Sequence, residues 1–180
     1  MTPLILYSVV GLWTSSHYDV AAASTGSQLP DRGCQVVRAA LRAAVGTADS
    51  LPILRQPVGP WPGFRDLPPD RQTSLLNRAH ATLHDPDSLL QRLMATHVRP
   101  ASLPECTALI NGTSWVSTAP SQPTDTTLVT LSTPVFSGDG HWALIYVGQS
   151  NRWVGHGDIY LLALDGRTWH VARQVFAWIQ

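Results

Sequence analysis

The stretch that decides the fold is His141 to Leu164, HWALIYVGQSNRWVGHGDIYLLAL. It holds two runs of β-favouring residues, HWALIYVGQ at 141–149 and DIYLLAL at 158–164. Between them lies SNRWVGHG at 150–157, a polar stretch that contains two glycines. Apolar runs of this length bounded by turn residues predict two β-strands joined by a loop.

Further strands are predicted on both sides of this pair. Leu128 to Phe136 (LVTLSTPVF) is a strand that the turn SGDG at 137–140 ends, and Pro134 marks a bulge or an edge in it. Asp165-Gly166 is a two-residue hairpin signal, and it leads into a last strand, Arg167 to Gln180. Four successive strands with short turns predict an antiparallel meander.

Helical periodicity lies ahead of these strands. Cys34 to Val45 has apolar residues at the i, i+3, i+4 spacing of an amphipathic helix, with two arginines on its polar side. Asp70 to Leu83 and Pro86 to His97 predict two more helices, and Leu51 to Gln56 predicts a short strand. We therefore expect one α+β domain over residues 25–180, with N-terminal helices packed on a C-terminal four-stranded antiparallel meander.

The charge composition disfavours some partners. The formal net charge is 0, only 13% of residues are charged, and every basic residue other than histidine is arginine. A neutral chain without a basic cluster argues against nucleic acid as a partner. No segment has the length of apolar sequence that an integral membrane segment needs.

Residues 1–24 are interpreted as either a signal segment or an N-terminal strand. Leu4 to Trp13 (LILYSVVGLW) is long enough for the apolar region of a signal peptide, and Ala21-Ala22-Ala23 is suited to cleavage near Ala23 or Ser24. No basic residue precedes the run, whereas signal peptides normally begin with one. The same run is rich in β-formers, so both alternatives stay open.

The cysteines carry no metal or redox motif. Cys34 and Cys106 are the only two, and neither belongs to a CxxC sequence. We expect two separate buried thiols, with one disulfide as the alternative if the chain is exported.

The C-terminal third resembles a group of uncharacterised bacterial proteins. The resemblance rests on the segments LSTPVFSGDGHWALIYVG and GHGDIYLLALDGRTWHV and on the ending FAWIQ. They are similar to the family's segments ALVYVG, CGxLCGxG, LLEK, DGKW and WIS. The family's members commonly have a signal peptide or a lipoprotein signal. The resemblance therefore implies a periplasmic or secreted protein, with a cytoplasmic one as the alternative. The family's loop cysteines are absent here, where Ser150 to Val154 stands instead.

Two histidine motifs have spacings that could support metal binding or acid–base chemistry. His80 and His84 have the i, i+4 spacing of a metal-binding pair, but the Glu of HExxH is replaced by Ala81 and no third ligand is evident. His156 and Asp158 flank Gly157 and could form an acid–base pair. In each case the structural interpretation is favoured, and we expect neither metal nor cofactor.

The loop 150–158 carries the residues most suited to binding. Arg152 and Trp153 are adjacent, and both residue types are enriched among binding hot spots. We therefore predict an exported, non-enzymatic binding or accessory domain that contacts an unknown protein or small ligand through Arg152, Trp153, His156 and Asp158. The alternatives are a small hydrolase or metal-dependent enzyme using one of the histidine motifs, and a cytosolic toxin-neutralising protein.

Overall fold

The structure, a computed structural model, describes residues 29–46, 51–55, 64–96, 106, 114–117 and 125–179. Its helices are α1 (Leu29–Val45), α2 (Pro69–Leu83) and α3 (Leu89–Thr96), with 3-10 turns at Phe64–Asp66 and Pro86–Ser88. Its strands are β1 (Pro52–Leu54), β2 (Ser114–Val116), β3 (Leu128–Leu131), β4 (Val135–Phe136), β5 (Trp142–Ser150), β6 (Gly155–Asp165) and β7 (Thr168–Ile179). The segment 1–24, interpreted as a signal or a strand, lies outside the described residues.

The three predicted helices are confirmed, although α1 begins earlier than predicted, at Leu29, and a 3-10 turn at Pro86–Ser88 precedes α3. Pro69 occupies the first turn of α2, where its missing N–H is not needed. α2 ends where His84 takes a left-handed backbone conformation with φ of 47°. The carboxylate of Asp85 then accepts the N–H of Leu90 at 2.9 Å and so caps α3.

The α+β class is confirmed, but the expected four-stranded antiparallel meander is wrong. Within the described residues the sheet has seven strands and is mixed, in the order β2-β1-β3-β5-β6-β7, with β4 paired to β5. β1 lies parallel to both β2 and β3, whereas β3, β5, β6 and β7 pair antiparallel. Parallel neighbours need a long crossover connection, and the chain between β1 and β2 includes α2 and α3. The part of the chain before β3 therefore contributes strands as well as helices.

The strand predicted at 128–136 is two strands with a gap between them. β3 pairs with β5 as far as Leu131, and β4 resumes the pairing at Val135. Ser132, buried in the gap, donates its N–H to the carbonyl of Tyr146 at 3.0 Å. Its hydroxyl accepts the N–H of Tyr146 at 2.9 Å. Pro134, which has no N–H to donate, follows in the same gap.

Both faces of the sheet are covered at β5, which explains why the sequence of this strand is continuously apolar. Ala143, Ile145 and Val147 belong to the core beneath α1, while Leu144 and Tyr146 belong to the core beneath α2 and α3. A strand covered on both faces needs apolar residues at every position. The β5–β6 loop thus joins two strands whose residues are largely buried.

A disulfide joins Cys34 on α1 to Cys106, and the expected pair of separate thiols is therefore wrong. The two Cα atoms are 5.4 Å apart although the cysteines are 72 residues apart in sequence. Both side chains lie in the core beneath α1. Sequence spacing alone could not show that the fold brings them together.

Candidate functional site

The turn between β5 and β6 is a compact, self-bonded loop. The side-chain oxygen of Asn151 accepts the N–H of Trp153 at 2.8 Å and that of Val154 at 3.0 Å. The N–H of Asn151 donates to the carbonyl of Val154 at 2.9 Å. Asparagine in this role closes a turn with its own side chain, so the loop has a defined shape between two long strands.

This loop holds Trp153 in the solvent. Its side chain is 71% exposed, and the neighbouring Val154 is 57% exposed. The guanidinium carbon of Arg152 lies 4.9 Å from the ring centroid, a cation–π contact. The indole N–H donates to the carboxylate of Asp125 at 3.2 Å. The exposed ring is therefore restrained on two sides, and its remaining surface is available.

His156 and Asp158 lie on the α1 face of the sheet, away from the loop tip. The amide nitrogen of Gln149 is 3.3 Å from Nε2 of His156 and donates to the carbonyl of Ala44, in the last turn of α1, at 3.0 Å. Asp158 is buried, at 6% exposure. Within the described residues no hydrogen bond joins His156 to Asp158. The acid–base pair considered from the sequence thus has no geometric support.

The glycines around this loop serve internal packing. Gly148 and Gly157 are cross-strand partners, and Gly155 lies opposite Ser150. A Cβ on Gly157 would lie 2.6 Å from the Tyr146 hydroxyl, and one on Gly155 would lie 2.8 Å from the Trp178 ring. The close approach that the sequence suggested is therefore made by aromatic rings of the same chain. Only the strand register, which pairs these positions, could have indicated this.

His80 and His84 are held in different surroundings. Nδ1 of His80 lies 3.1 Å from the buried carboxylate of Asp85, while His84 is the left-handed residue that ends α2. Over the described ranges, no group of three or more His, Cys, Asp or Glu side chains is placed to hold a metal ion. His80 is thus part of the α2–α3 connection.

A serine, an aspartate and a histidine meet at the β4–β5 turn, a cluster that sequence reasoning did not select. The Ser137 hydroxyl donates to Oδ1 of Asp139, and Nδ1 of His141 lies 3.5 Å from Oδ2. The Ser137 bond, and next the His141 N–H, hold the pKa of Asp139 below its ordinary value. A nucleophilic serine would need the imidazole beside its hydroxyl. Here the Asp139 carboxylate lies between the Ser137 hydroxyl and the His141 imidazole. The cluster therefore stabilises the β4–β5 turn.

Comparison with known proteins returns no similarity. No family model, no curated protein and no solved structure matches the chain. None of the described helices combines the length and the apolar character of a membrane span.

Proposed function

We propose that this chain is an exported, non-enzymatic domain that binds a protein partner through the loop tip, defined as Arg152, Trp153 and Val154. The observation that carries the proposal is Trp153, a 71% exposed ring whose backbone is fixed by Asn151. Tryptophan and arginine dominate binding hot spots. A contact surface that is ordered before binding loses less conformational entropy when the partner arrives.

Two observations support export. Disulfides persist in oxidising compartments and are rare in the cytosol, and this chain has one, between Cys34 and Cys106. The C-terminal resemblance is to a family whose members are commonly exported. A periplasmic or secreted location is therefore preferred to a cytoplasmic one. The same disulfide disfavours a cytosolic toxin-neutralising protein.

The enzymatic alternatives gain no support from the site. His80 is paired with Asp85, and the described neighbour of His156 is the amide of Gln149. A general base needs the proton that it abstracts within hydrogen-bond reach, together with a group that orients it. Neither histidine has a described nucleophile beside it.

The first test asks whether Trp153 is a contact residue or a structural one. Trp153→Ala should change the free energy of unfolding by no more than about 0.5 kcal/mol, as surface substitutions do. The matched control is Trp169→Ala, because Trp169 is only 5% exposed and packs edge-on against Phe136. Loss of that core ring should cost about 3–5 kcal/mol. Equal losses in the two variants would place Trp153 in a structural role.

The second test looks for the partner in the native host. A photo-crosslinking residue replaces Val154 at the loop tip or Arg167 at the opposite end of the sheet. We expect a discrete adduct from position 154 that is absent at 167, and that Trp153→Ala removes. An adduct that survives Trp153→Ala, or the absence of any adduct from 154, would contradict the proposal.

A further inference from the structure

Asp125 reaches the loop tip from a separate part of the chain. It lies shortly ahead of β3, whose first residue, Leu128, is the cross-strand partner of Ser150 at the end of β5. The antiparallel pairing of β3 with β5 therefore brings the chain around Asp125 beside the β5–β6 loop. From there its exposed carboxylate accepts the indole N–H of Trp153 at 3.2 Å, across 28 residues of sequence.

The two charged residues at Trp153 contact different parts of its ring. An aromatic ring carries negative charge on its face and positive charge along its edge. The guanidinium of Arg152 lies over the face, 4.9 Å from the ring centroid, whereas the carboxylate of Asp125 meets the N–H edge. Among the described residues, Asp125 and Arg152 form no ion pair with each other. Each charge is thus directed at the part of the indole that attracts it.

These two contacts restrain the ring in different ways. The torsion that turns an aromatic ring about its Cβ–Cγ bond is broad and roughly two-fold. An indole turned over about this bond would still offer a face to Arg152, but its N–H would point away from Asp125. Asp125 therefore selects one of the two ring orientations.

The selected orientation decides which surface of Trp153 meets the solvent. Arg152 covers one face of the ring, yet the residue is 71% exposed. The opposite face is therefore the open one. Because Asn151 holds the backbone of Trp153 and Asp125 holds its indole, this open face has a fixed direction at the end of the sheet.

We propose that Asp125 is a positioning residue of the loop tip, an inference that rests on the proposed function. It holds the Trp153 ring in the orientation in which the protein partner contacts the face opposite Arg152. Asp125 acts through the indole N–H and not through contact with the partner. A ring that is fixed beforehand loses less conformational entropy on binding, so loss of Asp125 weakens partner binding by about two- to tenfold.

The protein alone provides the first test. In the spectrum of nitrogen-15-labelled protein, Trp153→Phe identifies the indole N–H signal of Trp153 by removing it. Asp125→Ala should shift this signal and speed its exchange with water, because the N–H loses its acceptor. The matched control is Asp165→Ala, which removes an exposed carboxylate at the far end of β6 and should leave the signal unchanged.

Thermal melts of the same variants separate positioning from a structural role. The contact between Asp125 and Trp153 lies at the surface, so Asp125→Ala should keep the melting midpoint of the wild type. A lowered midpoint would show that the fold depends on this contact. That result, or an indole signal that Asp125→Ala leaves unmoved, would overturn the inference.

The photo-crosslinking residue at position 154 provides the second test. Asp125→Ala should lower the yield of the adduct by about two- to tenfold, and Asp125→Asn, which keeps an acceptor oxygen, should restore most of it. Trp153→Phe keeps an aromatic face but has no N–H, so on this background Asp125→Ala should have no further effect. Losses that add in the double variant would show that Asp125 contacts the partner directly, and would overturn the inference.

The two proposals can be told apart by their failures. If the adduct at position 154 depends on Trp153 but is unchanged by Asp125→Ala, the proposed function stands and only the positioning role falls. If position 154 gives no adduct in the otherwise unchanged protein, the proposed function fails and the inference fails with it.

Discussion

The indole N–H of Trp178 donates a hydrogen bond to the hydroxyl of Tyr146 at 2.7 Å. The two residues come from β7 and β5, and they meet across β6 above the paired glycines Gly148 and Gly157. Tyr146 occupies the volume that a side chain at either glycine would need, and Trp178 also occupies that volume at Gly157. This hydrogen bond links β5 to β7 across β6, next to the loop that carries Trp153.

Gly157→Ala tests this packing. A Cβ at Gly157 would lie 2.6 Å from the Tyr146 hydroxyl, and it would also meet the Trp178 indole. Overpacking of this kind should lower the free energy of unfolding by about 1–3 kcal/mol. The control is Gly138→Ala, because a Cβ there meets only a carboxylate oxygen of Asp87, at 3.8 Å. Urea denaturation measures both variants, and equal stability would show that the glycine pair is not required.

Alkaline pH should destabilise the protein through its buried tyrosines. The pKa of Tyr146 is raised from 10.0 to about 12 by burial, against the opposing hydrogen bonds from Trp178 and Thr130. The unfolded chain releases this proton near pH 10, whereas the folded chain retains it. The stabilisation from Tyr146 is therefore complete below pH 10 and is lost as the pH rises from 10 to about 12, at about 1.4 kcal/mol per pH unit.

Tyr146→Phe provides the comparison for this pH dependence. Unfolding free energies are measured in urea at several values from pH 8 to pH 12 for both proteins. The variant should lose less stability than the wild type between pH 10 and pH 12, because only the raised pKa of Tyr160 then remains among the described tyrosines. Parallel curves would contradict the burial of the Tyr146 hydroxyl.

Removing the disulfide should cost more than any single surface change. Cys34 and Cys106 are separated by 72 residues. A cross-link of this span restricts the unfolded chain by about 4 kcal/mol in the chain-entropy estimate. Thermal melts with and without reductant should show the loss in the wild type. In the double variant Cys34→Ser/Cys106→Ser, reductant should not change the melting midpoint. A reductant effect of the same size in both proteins would contradict the prediction.

The Asp85 carboxylate should stabilise the α2–α3 connection. Its side chain is buried, and its Oδ2 accepts the N–H of Leu90 and lies 3.1 Å from Nδ1 of His80. Asp85→Ala removes a helix cap and should cost about 0.5–2 kcal/mol. Gln91→Ala, at an exposed position on α3, is the control and should lie within about 0.5 kcal/mol of the wild type. Equal stabilities would show that the cap is dispensable.

Local pattern predicted the helices, because each helix is stabilised by its own apolar periodicity and by residues at its ends. It did not predict that β1 and β2 join the sheet. Each has three residues, Pro52–Leu54 and Ser114–Val116, and so short a strand is stabilised only by distant partners. Likewise, nothing in the sequence indicated that Ser132 would interrupt the strand and that its hydroxyl would accept the N–H of Tyr146.

The candidate site was predictable in part. A polar loop between two apolar strands indicated that Trp153 would be presented to solvent, and it is exposed. The glycine-rich stretch ahead of Asp158 predicts that this residue belongs to the loop, yet it is a buried strand residue.

The Cys34–Cys106 bond turns part of the backbone into a closed covalent ring that contains β1, α2 and α3. A protease that cuts once anywhere inside this ring leaves the two fragments attached to each other. Nicked protein would then migrate as an intact chain on a gel without reductant and would separate only when reductant is added. In a protease-rich environment outside the cytosol, one such cut would not release the half of the chain that carries Trp153.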